Sequence, residues 1–208
     1  MKRIFGLVAV LVFGWAVPAM ALIGPETSVG VRLGTGFYQS DTVFDTSTDI
    51  KNPTVVGVTA GLRQGRLGAE ISVDWISMNL ETNIKVAEVT MTPILLTLQF
   101  HPVEEDATID PYVGLGVGYY INTAHASSEA KASSGDSDYK VEMDNSVGFH
   151  LGVGANMKVS SALAFVIDAR YAFTNADLTV KGGGLSNTDT LAVNGVVVTA
   201  GLKYLFPK

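Results

Sequence analysis

Along most of the chain, apolar residues recur at every second position, which is the period of a β-strand and not of a helix. Residues 147–157 show it cleanly: Val147, Phe149, Leu151, Val153, Ala155 and Met157 share one face, and only Gly, His and Asn occupy the other. In residues 111–119, Val113, Leu115, Val117 and Tyr119 stand opposite Tyr112 and three glycines. Residues 163–173 set Leu163, Phe165, Ile167, Ala169, Tyr171 and Phe173 against Ala164, Val166, Asp168, Arg170 and Ala172. Segments 27–38, 53–63, 67–77, 89–101 and 194–206 follow the same template, giving eight predicted strands. Each is about ten residues long, enough to cross a bilayer on a tilt. Only 89–101 is blurred, because Ile94, Leu95 and Leu96 are apolar on both faces.

The second face separates a membrane barrel from a soluble sandwich. A sandwich turns its second face to water and fills it with Lys, Thr and Glu. Here that face is mostly Gly, with charges of both signs at Arg32, Arg63, Glu70, Asp74, Asp168, Arg170 and Lys203. Small residues and mutually compensating ions suit the crowded interior of an eight-strand barrel, leaving the larger apolar residues to face lipid. The connections alternate long and short, from a long one after Tyr38 to the turn Gln64-Gly65-Arg66, and on to the long, Ser-, Ala- and Asp-rich 122–145. That alternation is expected of outer-membrane barrels, with the N-terminus periplasmic and the long loops extracellular. Aromatics fall at strand ends as an interfacial belt would: Phe37, Trp75, Tyr119, Tyr171 and Phe173 at one level, Phe100, Tyr112, Tyr204 and Phe206 at the other. The predicted fold class is all-β, an eight-stranded antiparallel transmembrane β-barrel of outer-membrane type.

The first residues agree with export. Lys2 and Arg3 precede a short apolar run, residues 4–17, and Pro18-Ala19-Met20-Ala21 supplies small residues at a peptidase site. Residues 1–21 are read as a cleaved signal peptide and 22–208 as one barrel domain. Two of the 14 basic residues leave with the leader, so 12 remain against 20 acidic ones, a formal charge of −8. That balance argues against a nucleic-acid partner. The absence of cysteine excludes disulfides, thiolate metal sites and cysteine nucleophiles.

At this point the sequence resembles the outer membrane protein W (OmpW/AlkL) family. The resemblance rests on Thr92-Pro93-Ile94-Leu95-Leu96-Thr97-Leu98-Gln99-Phe100-His101, an acidic turn, then Pro111-Tyr112-Val113-Gly114-Leu115-Gly116-Val117-Gly118-Tyr119. Val166-Ile167-Asp168-Ala169-Arg170-Tyr171 and Gly201-Leu202-Lys203-Tyr204-Leu205-Phe206 extend it. It implies a narrow, largely apolar channel open toward the outside, a lateral exit into the membrane, and passage of small hydrophobic molecules past lipopolysaccharide. Two departures stand out: Pro207 and Lys208 follow the terminal aromatic Phe206, and the segment after the third strand, residues 77–82, lacks histidine.

Covalent chemistry finds little support. His101 is placed at the periplasmic rim with no special role, His150 is read as a satisfied luminal histidine, and His125 as a loop residue. Neither strand histidine has a serine two positions away on its own strand, as a lipid deacylase would. Asp136, Asp138, Glu142 and Asp144 cluster without the spacing of a calcium loop, so a solvated acidic loop is the reading. Gly182-Gly183-Gly184 lacks the Lys-Ser/Thr of a phosphate cradle. The expectation is a channel and not an enzyme, without catalytic residues, metal or cofactor. Leu95, Leu96, Tyr112 and Tyr120 are expected at the pocket or constriction. Pro93 is expected to shape the exit, since a proline cannot donate to the strand ladder; the plainer alternative is a proline at a strand start or bulge. Expected partners are outer-membrane lipids and lipopolysaccharide, small hydrophobic solutes and the barrel-assembly machinery, for a monomeric protein. The alternative is a surface or structural barrel whose long loops bind a partner.

Overall fold

The computed structural model describes residues 26–207 apart from 40, 44–45, 83–84, 136–138 and 183–184. The expected leader lies outside the described residues. The described elements are β1 (Glu26–Tyr38), β2 (Asp41–Val43), β3 (Thr46–Gln64), β4 (Leu67–Glu81), β5 (Lys85–Phe100), β6 (Ile109–Ala126), helix α1 (Ser128–Ser134), β7 (Lys140–Met143), β8 (Ser146–Lys158), β9 (Leu163–Gly182), β10 (Leu185–Ala192) and β11 (Gly195–Leu205). Eight strands pair antiparallel in the order β1-β3-β4-β5-β6-β8-β9-β11. The sheet closes because β1 pairs β3 on one side, through Val31↔Val58, and β11 on the other, through Val31↔Leu202. Closure leaves none of the eight strands with an unpaired edge.

The pleat sorts the side chains as the period-two pattern predicts. Val147, Phe149, Leu151 and Val153 of β8 turn outward, each more than half exposed, while His150 between them is 2 % exposed. All seven charges assigned to the interior from sequence are buried. On β5 the blur resolves by parity: Leu95 points in and Leu96, 51 % exposed, points out. Adjacent residues of a strand cannot share a face, so the expectation of Leu96 as a luminal residue is corrected. Tyr112, expected also in an aromatic belt, is 3 % exposed and luminal. The other belt aromatics occupy outward positions, with Tyr171 against Phe173 and Tyr204 against Phe206.

Glycines on the inner face make room for large luminal groups. A Cβ on Gly116 would come within 2.6 Å of the His150 ring, and one on Gly148 within 2.9 Å of Tyr120. At Gly154 it would strike the Tyr112 phenol. Replacing Gly154 by valine should therefore destabilise the folded barrel by about 1–3 kcal/mol through overpacking. Urea titration of the refolded protein checks this. Gly65 serves differently: at φ 59° it turns the β3–β4 hairpin, a conformation that L side chains rarely adopt.

The strands differ from expectation mainly in length. β3, β6 and β9 run 19, 18 and 20 residues, and the excess lies at the long-loop end. Residues read as loop thus become a rim of paired strands. β10 folds back on β9, β7 also pairs β9, and β2 pairs β3. His125 lies in β6 and not in a loop. Between β6 and β7, α1 starts at Ser127, whose side chain accepts from the Ala130 N–H at 3.0 Å, and stops at left-handed Gly135.

A luminal cavity above a charged floor

Inward-facing side chains divide the lumen into layers. The half toward the long-loop end is apolar: Val55, Ile76, Met78, Leu80, Val89, Met91, Leu95, Tyr120 and Leu178 form one buried cluster with residues of β7 and β10. It lies at the inward parity of the long-loop ends of the strands, and part of it, such as Met78, Leu80 and Leu178, falls beyond the predicted strand segments.

Below it lies a layer of three cations and three anions: Arg32, Arg170 and Lys203 with Glu70, Asp74 and Asp168. Arg32 grips Asp74 with two bonds, Nε to Oδ1 at 2.8 Å and Nη2 to Oδ2 at 2.5 Å, and also donates to Ser72. Arg170 donates to Glu70 at 2.7 Å and pairs with Asp168 at 2.6 Å. Lys203 takes the second Glu70 oxygen at 2.7 Å, and Tyr112 donates to Asp168 at 2.6 Å. Buried charges are tolerable only when paired and hydrogen-bonded. Here the two signs balance.

A second polar layer closes the short-turn end. Asp110 accepts from Asn156 at 3.0 Å and pairs with Arg63 at 2.7 Å and His101 at 2.8 Å, while Lys158 pairs with Glu26 at 2.9 Å. His101, expected at this end with no special role, pairs with Asp110 here. Asp110 escaped notice in the sequence because it stands at a turn, where acidic residues are common. Of the acidic loop cluster, Glu142 pairs with Lys181 at 2.6 Å, and Asp136 and Asp138 lie outside the described residues.

Between the apolar cluster and the charged floor is a small cavity of about 30 Å³. Pro93, Leu95 and Tyr120, three of the five residues singled out from sequence, line it together with Ile76, Met91 and His150. Tyr112 stands lower, in the floor, and Leu96 stands outside. Tyr38, Ile76, Met91 and Val197 line the cavity too; strand parity was the signal that could have found them. His150 reaches over Gly116 to Thr97, with Nε2 2.9 Å from the hydroxyl.

Beside this cavity the β4–β5 ladder lacks two pairs, with its register unchanged on either side. Pairing of β4 with β5 skips from Val73↔Ile94 to Ile76↔Met91, so Asp74 and Trp75 are not registered with Pro93 and Thr92. The missing N–H of Pro93 is a physical reason for a weak ladder there. On the other side β5 stays continuous, with Pro93↔Tyr120 in register. Just outside lies an apolar groove of about 250 Å³ among Ile71, Ile94, Leu96, Val117, Tyr119 and Val147.

The sequence pattern of the OmpW family matches residues 32–206, most of the chain. The protein belongs to the OmpW family. Solved structures agree on the fold. OprG from Pseudomonas aeruginosa superposes with a TM-score of 0.73 at 18 % identity, covering 88 % of this chain and 97 % of its own. AlkL, determined in lipid bilayers, gives 0.59 at 17 % identity over 88 % and 91 % of the two chains. Outer membrane protein W of E. coli gives 0.54 at 16 % identity over 88 % and 100 %. No curated protein sequence matches the chain. As an OmpW-family barrel it resides in the Gram-negative outer membrane, and its outward apolar face is the lipid-facing one.

Proposed function

We propose that this OmpW-family barrel is a passive channel for small hydrophobic molecules, which enter among the long loops on the cell exterior and leave sideways into the membrane. One juxtaposition carries this reading: an apolar cavity lies over a neutral, fully paired ionic floor and beside the interrupted β4–β5 ladder at Pro93. The floor opposes straight passage, since an ion or polar solute would have to separate buried pairs. An apolar solute gains from the walls and, at Pro93, has hydrocarbon on the far side. The outer groove at Ile94 and Leu96 would receive it, which gives Leu96 a role at the exit and not in the lumen. The reading needs no covalent step.

The test is solute flux into liposomes carrying the refolded mature protein, with empty liposomes and a small-ion conductance measurement as controls. The expected result is apolar-solute flux above background with little ion conductance. Absence of flux from a protein shown to be folded would overturn the reading. Export through the leader adds a separate expectation, a mature N-terminus at Leu22, read by mass spectrometry of the outer-membrane fraction.

A further inference from the structure

The luminal cavity, about 30 Å³, is only water-sized, so the structure is a shut form of the channel and passage needs a way in. The rim offers one. Pairing of β6 with β8 ends at Tyr120↔Ser146. Beyond that level β6 runs on to Ala126 paired with β5, while β7 pairs with β9. Among the described residues β6 and β7 share no ladder, although they lie side by side. The seam is about 13 Å long, the rise of the four residues of β7. Across it the two strands alternate in phase, with Ala124 and Val141 buried and Thr123 and Glu142 exposed. By contrast, β3–β4, β4–β5 and β5–β6 stay laddered along the rim. Between β1 and β10, a backbone bond from the Gln39 N–H to the Asn194 carbonyl at 2.9 Å continues the wall.

Two asparagines stand where the ladder stops. The Asn122 N–H donates to Asn145 Oδ1 at 2.9 Å, and Asn122 Nδ2 donates to the Asp144 carbonyl at 2.7 Å. Asn145 Nδ2 donates in turn to the Tyr119 hydroxyl at 3.2 Å. Helix α1, which links the two strands, is fastened away from the seam: Ser127 donates to the Lys85 carbonyl, and Glu129 accepts from the Lys85 N–H at 3.1 Å. Inward of the seam lies the apolar cluster, which runs from Ala124, Val141 and Met143 to Met91, Leu95 and Tyr120 of the cavity lining.

We infer that the β6–β7 seam is the outer entrance of the channel and that Asn122 and Asn145 are the latch that holds it shut. This deepens the channel reading and rests on it. Parting the two strands breaks side-chain bonds at the fork and no ladder, so β7 can leave β6 while keeping its pairs to β9. An apolar solute then reaches the cluster from the side. Asn145 is a positioning residue: it holds β6 against the β7–β8 bend and touches no solute.

The test measures apolar-solute flux and small-ion conductance of the refolded mature protein in liposomes. Thr123→Cys with Glu142→Cys sets two thiols across the seam, the only ones in the chain, and a short bismaleimide joins them. Joining them should bring flux down to that of empty liposomes. Asn145→Ala removes the acceptor of the Asn122 N–H and should raise flux about threefold to tenfold, the scale of one neutral hydrogen bond. Ion conductance should stay low, because the charged floor is untouched. Asn145→Asp keeps an acceptor and should show a smaller rise. Heat-modifiable migration confirms that each variant is folded. Unchanged flux after mass spectrometry confirms the link, no rise in Asn145→Ala, or an equal rise in Asn145→Asp would overturn the inference and leave the channel reading standing. A rise of flux and ion conductance together would also overturn it, as general loosening of the barrel. No apolar flux through folded wild type would overturn both.

Discussion

Replacing Glu70 by leucine should cost about 3–5 kcal/mol of folding stability, because it strands positive charge in the middle of the barrel. Glu70 is 2 % exposed and is the hub of the floor, accepting from Arg170 at 2.7 Å on one oxygen and from Lys203 at 2.7 Å on the other. Arg32 lies 3.7 Å away as a third cation. Without the carboxylate, Arg170 retains Asp168 and Arg32 retains Asp74. Lys203 retains only its place 5.8 Å over the Tyr112 ring, and the layer carries one uncompensated charge. Leucine cannot accept a bond, and water entering to solvate Lys203 would have to displace well-packed neighbours. The measurement is urea unfolding of the refolded protein in lipid, followed by tryptophan fluorescence. The double variant Glu70→Leu with Lys203→Met restores neutrality and should lose clearly less than the two single variants summed. Removing both partners of a buried pair is far less costly than removing one. Simple additivity would show that the pair is solvated and that the floor is not a dry seal. The Glu70→Leu channel should also conduct small ions measurably, since the floor would no longer be closed by mutual pairing.

A reversible block of the β4–β5 break should stop apolar-solute flux without touching the lumen. The chain has no cysteine, so a Trp75→Cys, Thr92→Cys variant carries a single engineered pair. The register of the flanking pairs, Val73↔Ile94 and Ile76↔Met91, places these two positions opposite one another. Directly opposed residues of antiparallel strands come within disulfide range when the ladder closes. Oxidation should bring flux of an apolar solute close to that of empty liposomes, and reduction should restore it. Flux that continues unchanged after mass spectrometry confirms the crosslink would place the exit elsewhere. The expected effect is large because the charged floor offers no second route, and the same sample in its reduced form controls for stability and export.

Strand alternation is a local property, and the parts of the site that depend on it were legible. The pleat sends residues of like parity to one face whatever the register, so Arg32, Glu70, Asp74, Arg170 and Lys203 could be placed inside, and Phe149 and Leu151 outside, before any partner was known. The same logic set Tyr112 opposite the outward Val113, Leu115 and Val117, although Tyr112 was also read as belt. It could not separate Leu95 from Leu96, because the apolar run hid the parity there. The strand ends were less legible, because the long rim at the outer end is built from polar strand residues such as those of β9 and β10, whose composition resembles a loop. Pairing with one another, together with burial of the inward Leu178 and Leu191 in the apolar cluster, holds them in strands.

By itself, then, the sequence determined the compartment expected for the chain, the eight-strand alternation and the inner position of the charges. Each follows from short-range chemistry: an apolar run with a peptidase site, a two-residue period, and the cost of a charge facing lipid. Only the tertiary structure decided which ion meets which, since Lys203 and Glu70 are 133 residues apart, and Arg170 and Glu70 are 100 apart. It alone set the cavity between the apolar cluster and the floor, and the skipped pairing beside Pro93. These depend on closure and register, which fix distances between strands far apart in sequence, and no local pattern along one strand encodes them.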